Sequence, residues 1–145
     1  MRALLVMIIS LISSVGLAEE ERITIEISGI HVERSGNLVV LVFGHDGFPV
    51  KHEKALLTQT RNVSGDRMTF TFTGPSTDEL AFKVLHDEDS NNKVTKNWTG
   101  IWPREGLGFS NGAAMSSAGP PSFDAAKLSR SDAIKGVRMR VIYPK

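Results

Sequence analysis

Residues 67–73 read Arg67-Met68-Thr69-Phe70-Thr71-Phe72-Thr73, and this stretch decides the fold class. Met68, Phe70 and Phe72 fall on one side of an extended chain, with Arg67 and the three threonines on the other. That period of two marks a strand with one buried face. A half-buried strand needs a second layer to cover it. The turn signal Ser64-Gly65-Asp66 precedes the strand and Gly74-Pro75 ends it.

The same pattern recurs outward from there. Ile23, Ile25 and Ile27 alternate with Thr24, Glu26 and Ser28, and Ser35-Gly36-Asn37 marks a break. Leu38 to Phe43 is apolar at both parities, which predicts a central strand covered on both faces. Gly44 to Lys54 is loop-like, and Lys51 to Leu57 has room for a helical turn. Leu56 to Val63 is a weaker, more polar strand. Leu80, Phe82 and Val84 alternate with Glu79, Ala81 and Lys83 on a run that ends at His86. Val137, Met139, Val141 and Tyr143 alternate with Arg138, Arg140 and Ile142, and Phe123 to Leu128 adds a shorter candidate. About seven strands without a long amphipathic helix predict an all-β fold. The expected architecture is an antiparallel β-sandwich, immunoglobulin-like or transthyretin-like.

Residues 1–18 read as a cleavable signal peptide. Arg2 supplies the positive start, Leu4 to Leu11 the apolar run, and Gly16 and Ala18 the small residues of a cleavage site. The run is shorter than the roughly 20 apolar residues that span a bilayer. The expectation is an exported protein, periplasmic or extracellular, with no stable membrane anchor after cleavage. Residues 19–145 then form a single sandwich domain. The chain has no cysteine, so it has neither disulfides nor a thioether-linked lipid. Without Arg2, basic residues equal the 16 acidic ones, and no polybasic run occurs. That balance argues against a nucleic-acid partner.

Residues 87–122 break the alternation and are rich in Asn, Gly, Ser and Pro. Long excursions of this kind are usually functional or disordered. Trp98, Trp102 and Phe109 lie inside it, which favours an ordered loop. It begins His86-Asp87-Glu88-Asp89-Ser90-Asn91-Asn92-Lys93. Asp87, Asp89 and Asn91 are spaced two apart, as in loops that turn successive oxygens toward a hard cation such as calcium. Asn92 takes the sharp-turn position, Lys93 offers its carbonyl, and Thr95 falls at the ninth place. Trp98 occupies the twelfth, where a bidentate acid is usual, so the loop is incomplete. Asn97 and Glu105 are the residues that would complete it. The competing reading is a polar turn whose Asp and Asn side chains bond to their own backbone.

His86 beside Asp87, with Glu88 or Glu105, suggests a hydrolase-type acid–base pair. The alternative turns His86 inward, bonded to loop backbone. His45 and His52 read as exposed loop residues. Trp98 and Trp102 suit either a stacking platform for a sugar or peptide or a cover over the open end of the core. Phe109-Ser110-Asn111 reads as a turn packed by Phe109.

Four segments carry a family resemblance: residues 86–93, Gly100-Ile101, Glu105 to Asn111, and Pro121-Ser122-Phe123-Asp124-Ala125-Ala126. In this order they resemble the domain of unknown function 2141 family of exported bacterial proteins. Two departures stand out. The acid that the family places near Thr95 is absent, and its Gly-Ile-Pro is stretched to Gly100-Ile101-Trp102-Pro103. The resemblance implies an exported β-sandwich and no established activity.

The resulting expectation is a non-enzymatic binding or accessory module for a small molecule, glycan or protein. Its surface would comprise His86, Trp98, Trp102, Phe109 and Asn111, with calcium as the candidate cofactor. The alternatives are a hydrolase built on the same loop and a structural envelope protein that pairs through a sheet edge.

Overall fold

A computed structural model describes residues 20–100 and 102–145. The expected signal peptide lies outside the described residues. Eight strands form two sheets: β1 (Arg22–Ser28), β2 (Asn37–Phe43), β3 (Leu57–Asn62), β4 (Met68–Thr73), β5 (Glu79–Asp87), β6 (Gly106–Phe109), β7 (Leu128–Ser129) and β8 (Val137–Arg140). One sheet runs β4-β1-β8 and the other β3-β2-β5-β6, with β7 on the start of β5. The protein is an all-β sandwich, as its alternation predicts.

The inter-sheet core is built from the inward parity of each strand. Ile23, Ile25, Ile27, Phe70 and Phe72 meet Leu38, Val40, Val42, Leu80, Phe82 and Val84. The outward parity of β2 is also buried, and the excursion explains why. Val39, Leu41 and Phe43 pack with Leu85, Leu107 and Phe109, under Phe48, Ala55, Val94, Ala113 and Met115. The loops at 44–56 and 88–122 therefore form a third layer over the larger sheet. Among the described residues no helix is long and apolar enough to cross a membrane.

Several details differ from the sequence reading. β1 and β8 pair in parallel, Ile25 opposite Val137, because the whole domain lies between them and supplies the crossover. Phe123 to Leu128 is mostly not a strand. Phe123–Ala126 is a short helix, α1, because Ser122 caps it by accepting from the Ala125 N–H at 3.2 Å. Ser129 caps α2 (Arg130–Ile134) by accepting from the Asp132 N–H. β6 arises within the excursion.

Both sheet corners are closed. Leu107 and Ile142 exchange backbone hydrogen bonds at 3.0 and 2.8 Å, which joins β6 to the chain just after β8. On the opposite side, Gln59 donates to the Thr71 carbonyl at 2.8 Å and Arg61 to the Thr69 carbonyl at 2.7 Å. Side chains of β3 thus occupy carbonyls along the β4 edge that a visiting strand would need.

Candidate functional site

Strand β5 delivers two sets of residues. His86 continues the inward parity and is fully buried. Its Nε2 lies 3.2 Å from the Ser35 carbonyl, so that nitrogen carries the proton. The Tyr143 hydroxyl then donates to Nδ1 at 2.6 Å and itself accepts from the His31 N–H. His86 is thus a fully buried ring bonded at both nitrogens and does not form part of an exposed ligand surface.

Asp87 follows on the outward parity and is also buried. It organises the loop: Oδ1 accepts from the Asn91 N–H at 3.1 Å and Oδ2 from the Asn92 N–H at 2.8 Å. Asn92 adopts φ 60, the left-handed conformation that asparagine tolerates. Asp89 accepts from Asn91 and, at 2.6 Å, from the Thr95 hydroxyl, which holds its carboxyl below the usual range. Glu105 arrives at the start of β6. Its two oxygens accept the N–H groups of Glu88 at 3.0 Å and Thr95 at 2.9 Å. Burial raises its pKa, and the charges of Asp89 and Asp87 add to that.

Asp87, Asp89 and Glu105 bring ligand atoms within 4.8 Å of one another. Thr95 adjoins them through its hydroxyl on Asp89, whereas Asn97 and Asn91 direct their side-chain carbonyl oxygens elsewhere. Asn97 accepts from Thr99 and Trp102 within its own turn. Asn91 turns its carbonyl oxygen to the Lys93 N–H at 2.8 Å. All six carboxylate oxygens already accept loop donors, as the polar-turn reading requires. Asp89 Oδ2 accepts two donors, and the other five oxygens each retain lone-pair capacity for a cation. With one ligand atom from each, the three carboxylates supply three of the six to eight oxygens calcium takes.

The aromatic expectations also divide. Trp98 is 97% exposed, so it does not cover the core, while Trp102 is 44% exposed beside Ile142 and Tyr143. Phe109 is buried in the outer core rather than presented as free surface. Asn111 donates to the Ala125 carbonyl at 3.2 Å, and Ser110 donates to the Ala126 carbonyl at 2.6 Å. This turn latches α1 to the sheet.

The most distinctive group is one that the sequence reading passed over. Lys83 lies on β5 and is only 3% exposed. Its ammonium donates to the Pro49 carbonyl and to His52 Nε2, both at 2.8 Å. His52 is therefore half-buried and engaged rather than an exposed loop residue. Its Nδ1 faces the Asn92 carbonyl at 3.3 Å, and burial followed by the Lys83 charge lowers its pKa. Lys83 lines a cleft of about 450 Å³ between the 44–56 loop and the excursion. Val94, Leu107, Phe109 and Met115 form its apolar walls, and Lys96 stands at the same cleft.

A family model described as "Uncharacterized protein conserved in bacteria (DUF2141)" matches residues 25–137. The chain belongs to this family. No curated protein and no solved structure matches it significantly. Two DUF2141 segments quoted above meet in space, because Ser110 and Asn111 of one bond Ala126 and Ala125 of the other. The Leu107 and Phe109 side chains between them face the cleft.

Lys83 also gives this DUF2141 protein a defined pH response. Burial, then the Lys96 charge, pushes its pKa from 10.5 down to about 8. Below pH 8 both folded and unfolded chains hold the proton, and ionised Lys83 costs the fold about 3 kcal/mol. Between 8 and 10.5 the unfolded chain binds a proton that the folded chain has released, so stability rises with pH. Urea unfolding at pH 7 and 9.5 should show this gain in the wild type and lose it in Lys83→Met. Parallel stability curves for the two proteins refute the assignment. The Lys83→Met variant should itself be more stable at pH 7, since an apolar side chain replaces a buried charge.

Proposed function

We propose that the protein is an exported, non-enzymatic binding module, periplasmic or extracellular, that takes a small molecule in the cleft over the larger sheet. The observation that carries this reading is the cleft itself. An apolar enclosure of about 450 Å³ with a few convergent polar groups is the usual form of a small-ligand site. The excursion from His86 to Asn111 supplies one wall of that cleft. Its role here is to enclose a ligand, while its exposed Trp98 remains available to a glycan or protein partner. A hydrolase reading would need His86 to reach a substrate, and its ring is fully buried. Pairing through a sheet edge is disfavoured by the covered carbonyls of β4.

A second reading of the loop is a calcium ion held by Asp87, Asp89 and Glu105, favoured by their convergence within 4.8 Å. Its role would be to pin the excursion and relieve repulsion among three carboxylates.

One NMR experiment on the isotopically labelled protein tests both readings. The uncharged aromatic 2-naphthamide should shift the amide signals of Val94, Leu107, Phe109 and Met115. Millimolar calcium should shift those of Asp87 to Thr95 and raise the melting temperature. If neither 2-naphthamide nor its charged counterpart 2-naphthoate moves a cleft signal, the cleft reading is wrong. If calcium moves neither loop signals nor melting temperature, the carboxylates serve only as acceptors for the loop.

A further inference from the structure

We propose that the ligand of this cleft is an amphipathic carboxylate, its charged end on Lys83 and Lys96 and its apolar body against Val94, Leu107, Phe109 and Met115. The inference rests on the cleft being the ligand site and adds the ligand's chemistry.

The argument begins with an unbalanced charge. A buried lysine is ordinarily paired with an acid. Among the described residues no carboxylate lies within ion-pair distance of Lys83, Lys93 or Lys96, and all three line the cleft. The acceptors Lys83 does have, the Pro49 carbonyl and His52 Nε2, carry no charge. They use two of its three donors and leave one. Glu53 is the one acid at the cleft, against three lysines.

The walls narrow the class further. An inorganic anion would satisfy the ammonium and leave the apolar walls against water. A neutral hydrocarbon would satisfy the walls and leave Lys83 unpaired. A phosphate dianion calls for several convergent donors, such as an arginine fork or backbone amides, whereas a monocarboxylate matches one buried ammonium and one flanking lysine. The cleft volume accommodates a ligand of one or two rings or a short alkyl chain.

The test compares two probes of one shape, 2-naphthoate and 2-naphthamide, titrated into the protein at pH 7 with NMR detection. The naphthoate should bind about tenfold or more tightly, the difference expected of a charge-assisted hydrogen bond in a desolvated site. Lys83→Met should erase that preference, so that the two probes bind alike, and the dispersed amide signals of its inter-sheet core verify that the variant is folded. Equal affinities in the wild type, with cleft signals moving for both probes, overturn the carboxylate inference and leave the cleft reading intact. No movement of cleft signals by either probe overturns both.

Discussion

Gly108→Ala is expected to destabilise the protein by about 3 kcal/mol or more, measured as a fall in the urea unfolding midpoint without loss of cooperativity. Gly108 sits in β6 where the last residue of β8, Arg140, crosses closest. A Cβ there would overlap the Arg140 carbonyl oxygen, which is backbone, and lie 2.8 Å from Val84 Cγ1 in the inter-sheet core. Neither neighbour can rotate away as a flexible side chain would. The added methyl must push β6 off β5 or part the Leu107–Ile142 bridge that closes the corner. Leu107 and Phe109 flank the position and face the cleft, so 2-naphthamide binding should weaken as well. A variant that unfolds at the wild-type midpoint would show that the corner is looser than its geometry states.

The second large effect is expected at Asp87. Asp87→Ala removes the buried carboxylate that accepts the Asn92 N–H and shares the Asn91 N–H with Asp89, at a cost of about 3 kcal/mol for two charge-assisted hydrogen bonds and the emptied site. Asp87→Asn should cost less, because its single carbonyl oxygen can still accept. Hydrogen exchange distinguishes the origin of the loss. Amides of residues 88–97 should exchange faster in Asp87→Ala than those of β1 and β4. Uniform acceleration across both sheets would mean that Asp87 supports the whole sandwich and not its loop.

The legible part of this fold was the part with a single buried face. Met68, Phe70 and Phe72 announce β4 because threonines separate them, and Ile23, Ile25 and Ile27 announce β1 in the same way. β6 was not legible: its sequence, Gly-Leu-Gly-Phe, has glycines where contrast would be needed. Those glycines are required by the close crossing of the chain after β8, a tertiary fact. Phe123, Ala126 and Leu128 present spacings of three and two, which fit strand and helix alike. Ser122 as a cap was the signal that decides for helix. At the site, spacing raises Asp87, Asp89 and Asn91, with Asn97 and Glu105 as candidates from further along; of these the carboxylates of Asp87, Asp89 and Glu105 converge within 4.8 Å, whereas Asn97 closes its own turn. Alternation puts Lys83 on the face opposite Leu80, Phe82 and Val84. That side is roofed by the excursion, and Ala81 and Leu85, its neighbours of the same parity, were the available hint.

The parallel pairing of β1 with β8 has a bearing on biosynthesis. Ile25 and Ile27 find β4 early, but their other flank stays bare until Val137 and Met139 arrive. A nascent polypeptide therefore cannot seal the smaller sheet piecemeal as it lengthens. Contacts so distant along the chain make folding slow and late. Under the export proposed above, a delay of that kind would keep the chain pliable for translocation until nearly all of it has been made.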